Sequence, residues 1–383
     1  MRCAGLAPSS HNTQCRKFAI KYKAISILPD LSRRCPAVDP DEHHVFVSLG
    51  GCAAENMVQA ARAHGLQAEP HFNATADTVR VALVPTTSHA TPLLNAIAAR
   101  QCARGDYDGR PVSNDELDRL EHVGNSDCVR MLLLNDRPLV ERVLEHVIRG
   151  NTAQMADSAF VKELKTWIRF NGAETVRTGD GLYSAASGNP SIPTWIGELA
   201  LRWVFTPKSE NDKYARQIRS LAGIAVFVGQ TADKAHWVDV GRAYERFALQ
   251  ATALGIRNAC VNQPVEMASV RPQFAAALGL DSQRPDMLVR VGRGPTLPQS
   301  LRRRVKRCWS ERARHHQHVG HHRAVEAVHL DAARGHRWGR CTPGLHVGRE
   351  NCDVARHQGP RRRQLHYRHG PGARGPAGLV QDG

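Results

Sequence analysis

The spacing of apolar residues predicts a succession of helices and strands over roughly the first 300 residues. Ala53, Ala54, Met57, Val58 and Ala61 repeat at i, i+1, i+4, i+5 and i+8, which predicts a helix over 44–64 ending at Gly65. Further helices are predicted over 93–99, 138–149, 159–170 and 237–254, the second of these ending at Gly150. Another helix is predicted to begin at Asn114, which would be its cap. Strands are predicted over 18–28 (one or two), 78–84, 130–134, 223–229, 257–262 and 287–292.

The chain also matches itself when it is shifted by 190 positions. The shift aligns Gly51 with Gly241, Glu55 with Glu245, Ala61 with Ala251, Gly65 with Gly255 and Leu66 with Ile256. Strand material follows the helix in both copies, which indicates an internal duplication, although helical sequences also match by chance. A duplicated chain would form two halves, 1–99 and 100–305, with a ligand at their junction.

Two segments break the alternation of helices and strands. Residues 178–195 are rich in Gly, Ser and Pro, which predicts a long ordered loop or lid. Residues 306–383 hold fourteen Arg and one Lys against six acids, a net charge of +9 out of +16 for the chain, with no Ile or Phe. This composition predicts disorder. The segment is interpreted as a frameshift product, the alternative being a genuine basic tail that binds nucleic acid.

Composition narrows the class of protein further. No apolar run approaches the roughly 20 residues of a membrane span, so no membrane association is expected. The ten cysteines form no CxxC pair, which argues against a zinc site or a secreted disulfide framework. His315, His316, His318, His321 and His322 lack partners at fixed spacing, so no metal site is predicted. A reducing, cytoplasmic location is expected.

Four polar groups are candidates for ligand binding. The turn from Pro8 to Gln14, which includes Ser9, Ser10 and Asn12, leads into a strand, a common place for ligand contacts, although an ordinary turn is the alternative. Arg100 and Arg104 form one basic group and Arg302–Arg304 another, which could clamp one phosphate or be solvated surface charges. Gln263 and Pro264 follow a strand and could meet the edge of a planar ring.

These motifs resemble those of the nitroreductase family. The sequence Ala-Pro-Ser-Ser-His-Asn-Thr-Gln from Ala7 to Gln14 resembles its FMN-contacting turn. The run Arg100-Gln101-Cys102-Ala103-Arg104 is similar to its Arg-x-Ser-x-Arg phosphate motif, with Cys102 in the hydroxyl position. Arg302–Arg304 resembles its C-terminal phosphate contact. The first 305 residues are most similar to the longer, internally duplicated branch of Acg-like nitroreductases.

The resemblance implies an α+β fold whose two related halves form a pseudo-dimer of helix-flanked mixed or antiparallel sheets, with FMN at the junction. The molecule would be a monomeric pseudo-dimer or a weak homodimer. Arg100, Arg104, Arg302 and Arg303 would hold the phosphate, while Pro8, Ser9 and Asn12 would contact the isoalloxazine. Ser10, Gln14 and Cys102 would complete the cofactor site, and Gln263 and Pro264 would lie near the reactive edge.

The implied activity is electron transfer from NAD(P)H through FMN to a small-molecule electron acceptor. No catalytic side chain is required, because the cofactor carries the chemistry. The competing function is storage or sequestration of FMN, with the 178–195 segment closed over it. Cys102 either packs in place of a serine or, beside two arginines, ionises to a thiolate.

Overall fold

The computed structural model describes residues 1–280, 282–304 and 308, apart from the side chains of Leu49 and Arg202. The predictions for the 306–383 tail and its histidines concern residues that, except for Cys308, lie outside this description. No helix within the described residues is long and apolar enough to cross a membrane.

Two four-stranded sheets, both antiparallel throughout, organise the described residues. The first has the order β1 (Arg16–Lys21), β2 (Ala24–Pro29), β4 (Thr78–Pro85), β3 (Leu66–Asn73). The second has the order β5 (Val129–Leu134), β8 (Gly223–Gly229), β10 (Met287–Gly292), β9 (Arg257–Cys260). A short parallel pair joins β6 (Ile168–Arg169) to β7 (Leu182–Tyr183). With the helices around them, these sheets confirm an α+β fold.

The helices pack around these sheets. They are α1 (Arg2–Gly5), α2 (His43–Phe46), α3 (Ala53–Ala63), α4 (Pro92–Ala99), α5 (Asn114–Gly124), α6 (Arg137–Ala156), α7 (Ser158–Trp167), α8 (Gly172–Thr178), α9 (Thr194–Val204), α10 (Pro207–Arg219), α11 (Lys234–Ala253), α12 (Gln263–Glu266) and α13 (Arg271–Ala277). Alternate residues of β8 face two apolar cores. Phe227 packs with α11 and the first sheet, while Val226 packs with α6 and α13.

Two predicted helix boundaries are wrong. Helix α6 continues through Gly150 to Ala156. The glycine is needed for packing rather than termination, since a Cβ there would lie 2.6 Å from the carbonyl carbon of Gln263. Helix α5 is capped by Ser113 and not by Asn114, because the Ser113 hydroxyl and the Glu116 carboxylate form a capping box.

The predicted helix over 44–64 is present but is interrupted by a π-helical turn, Val47–Cys52, between α2 and α3. The backbone of this turn comes closest to the backbone of α11 where Gly51 lies against Gly241. A Cβ on Gly51 would lie 2.3 Å from the Gly241 Cα, and a Cβ on Gly241 would lie 1.9 Å from the carbonyl oxygen of Val47. The backbones of the two helices are therefore in direct contact.

The segment over 178–195, predicted as one loop, contains regular elements. It includes the end of α8, the strand β7, a 3-10 turn over Ser184–Ser187 and the start of α9.

The sequence prediction also lacks helix α10. Most of its residues are polar, so it has no apolar stripe, but Pro207 at its start and the Thr206–Ser209 capping box were signals of a helix.

Candidate functional site

A cavity of about 570 Å³ lies among the N-terminal turn, the start of the 101–104 segment, α6, α9, α10 and the chain after β9. This volume is within the range of roughly 300–1,000 Å³ that is usual for small-molecule sites. Its apolar lining includes Val38, Val47, Met155, Phe160, Leu164, Ile168, Phe170, Leu182, Ile192, Leu201, Phe205 and Val261. Its polar lining includes Ser9, Ser10, His11, His44, Arg104, Asn151, Gln154, Lys213, Asn262, Gln263, Glu266 and Arg290.

The turn from Pro8 to Gln14 forms one wall of the cavity with an unusual backbone. His11, Asn12 and Gln14 have φ values of 49°, 54° and 54°, the left-handed region that non-glycine residues rarely adopt. Hydrogen bonds hold this conformation. The Ser9 hydroxyl accepts from the Gln14 N–H at 2.9 Å, and the buried Arg16 donates to the carbonyls of Pro8 at 3.2 Å and Gly5 at 3.3 Å. The sequence interpretation missed Arg16.

Asn12 and Gln14 attach this turn to two distant segments and are not part of the cavity lining. The Asn12 amide donates to the carbonyls of Gly181 at 3.1 Å and Leu301 at 3.0 Å, and its oxygen accepts from the Arg302 guanidinium. The Gln14 amide donates to the Gly179 carbonyl at 2.9 Å and accepts from the Arg303 N–H at 2.8 Å. The protein uses these amide groups itself, so they support the wall from behind.

The two predicted basic groups come close together, but their members differ in role. Arg104 lines the cavity, and no carboxylate in the described part of the chain pairs with its guanidinium. Arg100 is buried and does not line the cavity; its Nε lies 3.3 Å from the Glu245 carboxylate, and it donates to the Leu6 carbonyl at 2.8 Å. Arg100 therefore anchors α11.

Arg302 has more positive than negative charge around it. Burial, together with the charges of Arg100, Arg16 and Arg104, lowers the pKa of Arg302 to about 9, against the opposite effect of Glu245. Repulsion of this kind is relieved by a bound anion. Arg302 thus lies within electrostatic range of Arg104, but neither Arg302 nor Arg303 lines the cavity, and the Arg303 N–H donates to the Gln14 side chain.

Another wall of the cavity contains a polar atom without a partner among the described residues. Gln263 is buried against α6, where Gly150 allows the close approach, and its side-chain oxygen has no hydrogen-bond donor among the described residues. A buried acceptor of this kind costs about 1–3 kcal/mol unless it is satisfied. Because Gln263 lines the cavity, the donor of a ligand could satisfy it. Pro264 lies behind this wall, against Gly150, and is not part of the lining.

Arg290 was missed by the sequence interpretation, although a lone charge within the apolar strand β10 was a usable signal. It is 1% exposed and donates to the carbonyls of Ala103 at 3.0 Å and Gly105 at 2.7 Å. Its guanidinium also lies 4.3 Å from the centre of the Tyr107 ring. Arg290 thereby fixes the backbone on both sides of Arg104.

The lowered pKa of the His11 imidazole leads us to expect that the stability of the protein depends on pH. Burial, and then the charges of Arg104 and His44, lower the pKa of His11 to about 4. Below its ordinary pKa of 6.5 the unfolded chain takes up a proton that the folded chain does not, so stability falls as the pH drops from about 6.5 towards 4. The His11 contribution lost between pH 7 and pH 5 is about 2 kcal/mol.

We expect His11→Asn to reduce the difference in unfolding free energy between these two pH values by this amount, because asparagine tolerates the left-handed backbone and does not titrate. Urea unfolding of both proteins at each pH measures the difference. An identical pH dependence in the variant would contradict the assignment to His11.

Comparisons with known proteins identify relatives along most of the chain, although no family model matches it. A protein of Mycobacterium tuberculosis (strain ATCC 25618 / H37Rv), provisionally named NAD(P)H nitroreductase Rv3131, is 25% identical over 320 residues, covering 80% of this chain and 89% of that protein. Its counterpart in strain CDC 1551 / Oshkosh, provisionally named NAD(P)H nitroreductase MT3217, matches equally. These relatives confirm the resemblance to nitroreductases stated from the motifs.

Solved structures of nitroreductases also match, at low similarity. The FMN-dependent nitroreductase NfnB from Mycobacterium smegmatis, solved in complex with NADPH, has a TM-score of 0.37 and 12% identity over 54% of this chain and 93% of that chain. A nitroreductase with bound FMN from Desulfitobacterium hafniense DCB-2 has a TM-score of 0.36 and 15% identity over 57% of this chain and 97% of that chain.

Proposed function

Because the chain is similar over four-fifths of its length to proteins named as NAD(P)H nitroreductases, we propose that it is an FMN-dependent oxidoreductase of this type. It would transfer electrons from NAD(P)H to a small-molecule electron acceptor. The observation that carries the proposal is the positive charge at and near the cavity: Arg104 lines it without a carboxylate partner among the described residues, and Arg302, outside the lining, is repelled by neighbouring guanidinium groups.

Two features of the cavity and its surroundings suit FMN. A phosphate monoester near Arg104 and Arg302 would neutralise the local excess of positive charge and could accept charge-assisted hydrogen bonds. Elsewhere in the lining, the unpartnered side-chain oxygen of Gln263 could accept a hydrogen bond from a ring N–H group. Pro8 and Ser9 would lie against the ring. Arg100, Asn12 and Gln14 are assigned a supporting role instead of direct contact.

Bound FMN would supply the two-electron chemistry, and the protein would bind and orient the reactants. Arg16 holds the turn from Pro8 to Gln14 through hydrogen bonds to the carbonyls of Pro8 and Gly5, so this turn would present a rigid wall to the ring. Arg290 would hold the loop that carries Arg104. The apolar side chains Phe160, Phe170 and Leu201 would keep water from the cavity. The chain needs no acid or base of its own for this function.

Storage of FMN without turnover is the second candidate, and one observation favours it. Ser184 and Ser187 of the 3-10 turn and Ile192 line the cavity, so the 178–195 segment already covers part of it. Anaerobic addition of NADPH to the FMN-loaded protein distinguishes the two functions. Bleaching of the flavin absorbance within a catalytic time scale supports the oxidoreductase, and a flavin that stays oxidised supports storage.

We expect Arg104→Ala to weaken FMN binding by about 10- to 100-fold, because it removes one charge-assisted contact with the phosphate, worth about 1.5–3 kcal/mol. Titration of the flavin-free protein with FMN, followed by flavin fluorescence, measures the change. Riboflavin, which lacks the phosphate, should bind both proteins equally.

The matched control for Arg104→Ala is Arg110→Ala. Arg110 lies on the same connecting segment, but it is exposed and pairs with Asp108 at 2.8 Å. Its removal should leave FMN affinity unchanged. Equal losses in the two variants, or an equal loss of riboflavin affinity in Arg104→Ala, would contradict a phosphate site at Arg104.

A further inference from the structure

Two cysteines that line the cavity lie on directly paired segments although they are 158 positions apart in sequence. Cys102 forms an isolated parallel bridge with Asn258, two residues before Cys260 at the end of β9. The Cys260 thiol lies within reach of the Cys102 sulfur and of the Tyr244 hydroxyl, to which it donates at 3.9 Å. Both residues are partly exposed, line the cavity and are free thiols.

The surroundings of this pair favour a reactive thiolate at Cys102. The hydrogen bond from the Cys260 thiol lowers the pKa of Cys102 well below its ordinary value, and the charges of Arg104 and Arg100 act in the same direction, against the effect of burial. The same contact and burial raise the pKa of Cys260, which keeps its proton. Partly exposed cysteines in a positively charged environment are the reactive ones in proteins.

The other cysteines among the described residues lack this combination. Cys15, Cys35 and Cys52 are buried, and burial raises the pKa of both Cys35 and Cys52. Cys128 is partly exposed but lies outside the cavity. Cys102 and Cys260 are therefore distinguished by proximity, by access to the cavity and by charge.

We propose that Cys102 and Cys260 form a redox-active thiol pair that a hydroperoxide oxidises to an intramolecular disulfide. The proposal goes beyond the flavin-dependent activity and needs no bound FMN. Cys102 is the attacking thiolate, Cys260 is the resolving thiol, and the cavity admits the peroxide to both. Arg104 stabilises the negative charge that passes to the leaving oxygen.

The reaction has two balanced steps. The Cys102 thiolate attacks one peroxide oxygen; a sulfur–oxygen bond forms, the oxygen–oxygen bond breaks, and the leaving oxygen takes a proton from solvent to give an alcohol, or water from hydrogen peroxide. The Cys260 sulfur then attacks the sulfenic acid, a disulfide forms, and hydroxide leaves with the Cys260 proton as water. Two electrons pass from the thiol pair to the peroxide.

Peptide mapping of the wild-type protein tests this proposal. The full-length protein is treated with one equivalent of hydrogen peroxide, blocked with an alkylating reagent and digested with trypsin, which separates the three relevant cysteines. We expect the Cys102–Cys260 disulfide as the main product and loss of the Cys102 thiol at least about tenfold faster than loss of the Cys128 thiol. Reaction at equal rates, disulfides to other cysteines, or overoxidation of Cys102 without a disulfide would overturn the proposal.

Two variants separate the roles within the pair. Cys260→Ser should leave a sulfenic acid at Cys102 that a 1,3-diketone traps, because the resolving thiol is absent. Cys102→Ser should make Cys260 react no faster than Cys128. Absence of a trapped adduct in Cys260→Ser would overturn the assignment. The peroxide experiments use flavin-free protein. A failure to form the disulfide can therefore be distinguished from a failure to bind FMN, which is measured separately by titration.

Discussion

Replacing Gly241 with alanine is expected to destabilise the protein by about 3 kcal/mol or more, which is a large fraction of a typical domain's stability. The added Cβ would lie 1.9 Å from the Val47 carbonyl oxygen and 2.8 Å from the Gly51 Cα. Both are backbone atoms of the opposing helix, so no side chain can rotate to make room. The two helices must separate, and the buried contacts around them must loosen. Urea unfolding of purified protein measures the loss.

The matched control is Gly5→Ala, because Gly5 also lies in a helix and a Cβ there would meet nothing within 4 Å. Alanine is intrinsically favoured over glycine in a helix, so this variant should be neutral or slightly more stable. Equal stability of Gly241→Ala and Gly5→Ala would contradict the close contact between the helices.

Arg290→Met is expected to reduce stability by about 3 kcal/mol and to weaken FMN binding in the fraction that folds. Methionine keeps much of the buried volume but leaves the carbonyls of Ala103 and Gly105 without their donors. The same loss releases the backbone on both sides of Arg104. Unfolding in urea measures the first effect, and titration with FMN below the unfolding transition measures the second.

Arg130→Met is the control for Arg290→Met, because Arg130 lies on β5 of the same sheet but is exposed. This variant should change neither the free energy of unfolding nor the FMN affinity measurably. A destabilised Arg290→Met protein with wild-type FMN affinity would show that Arg290 only contributes to the core and does not position Arg104.

Sequence patterns predicted the parts of the fold that depend on apolar periodicity. Strands β8 and β10 are buried at every position and appear in the sequence as apolar runs, the one in β10 interrupted only by Arg290. Helix α10 was missed because its residues are mostly polar, and the end of α6 was misplaced because Gly150 serves packing against Gln263. Spacing alone does not distinguish a glycine that ends a helix from one that allows a neighbour to approach.

The candidate site was predictable where a motif is contiguous and not where it depends on distant contacts. Pro8, Ser9 and Arg104 line the cavity, and their contact with a cofactor stays a prediction. The attachment of Asn12 to Leu301 joins residues 289 positions apart, which no local pattern indicates. The alignment of Gly51 with Gly241 suggested equivalent positions, and the two glycines are in contact. The internal duplication itself, and the halves 1–99 and 100–305, stay predictions.

The cavity lining has a consequence for how the site responds to dilution. The described lining residues, which run from Pro8 to Arg290, belong to one polypeptide, so these walls are joined covalently. An assembly of separate chains loses its interface at low concentration, whereas covalently joined walls keep the same effective concentration at any dilution. For a site built from these residues alone, ligand affinity per chain should therefore be the same at nanomolar and at micromolar protein.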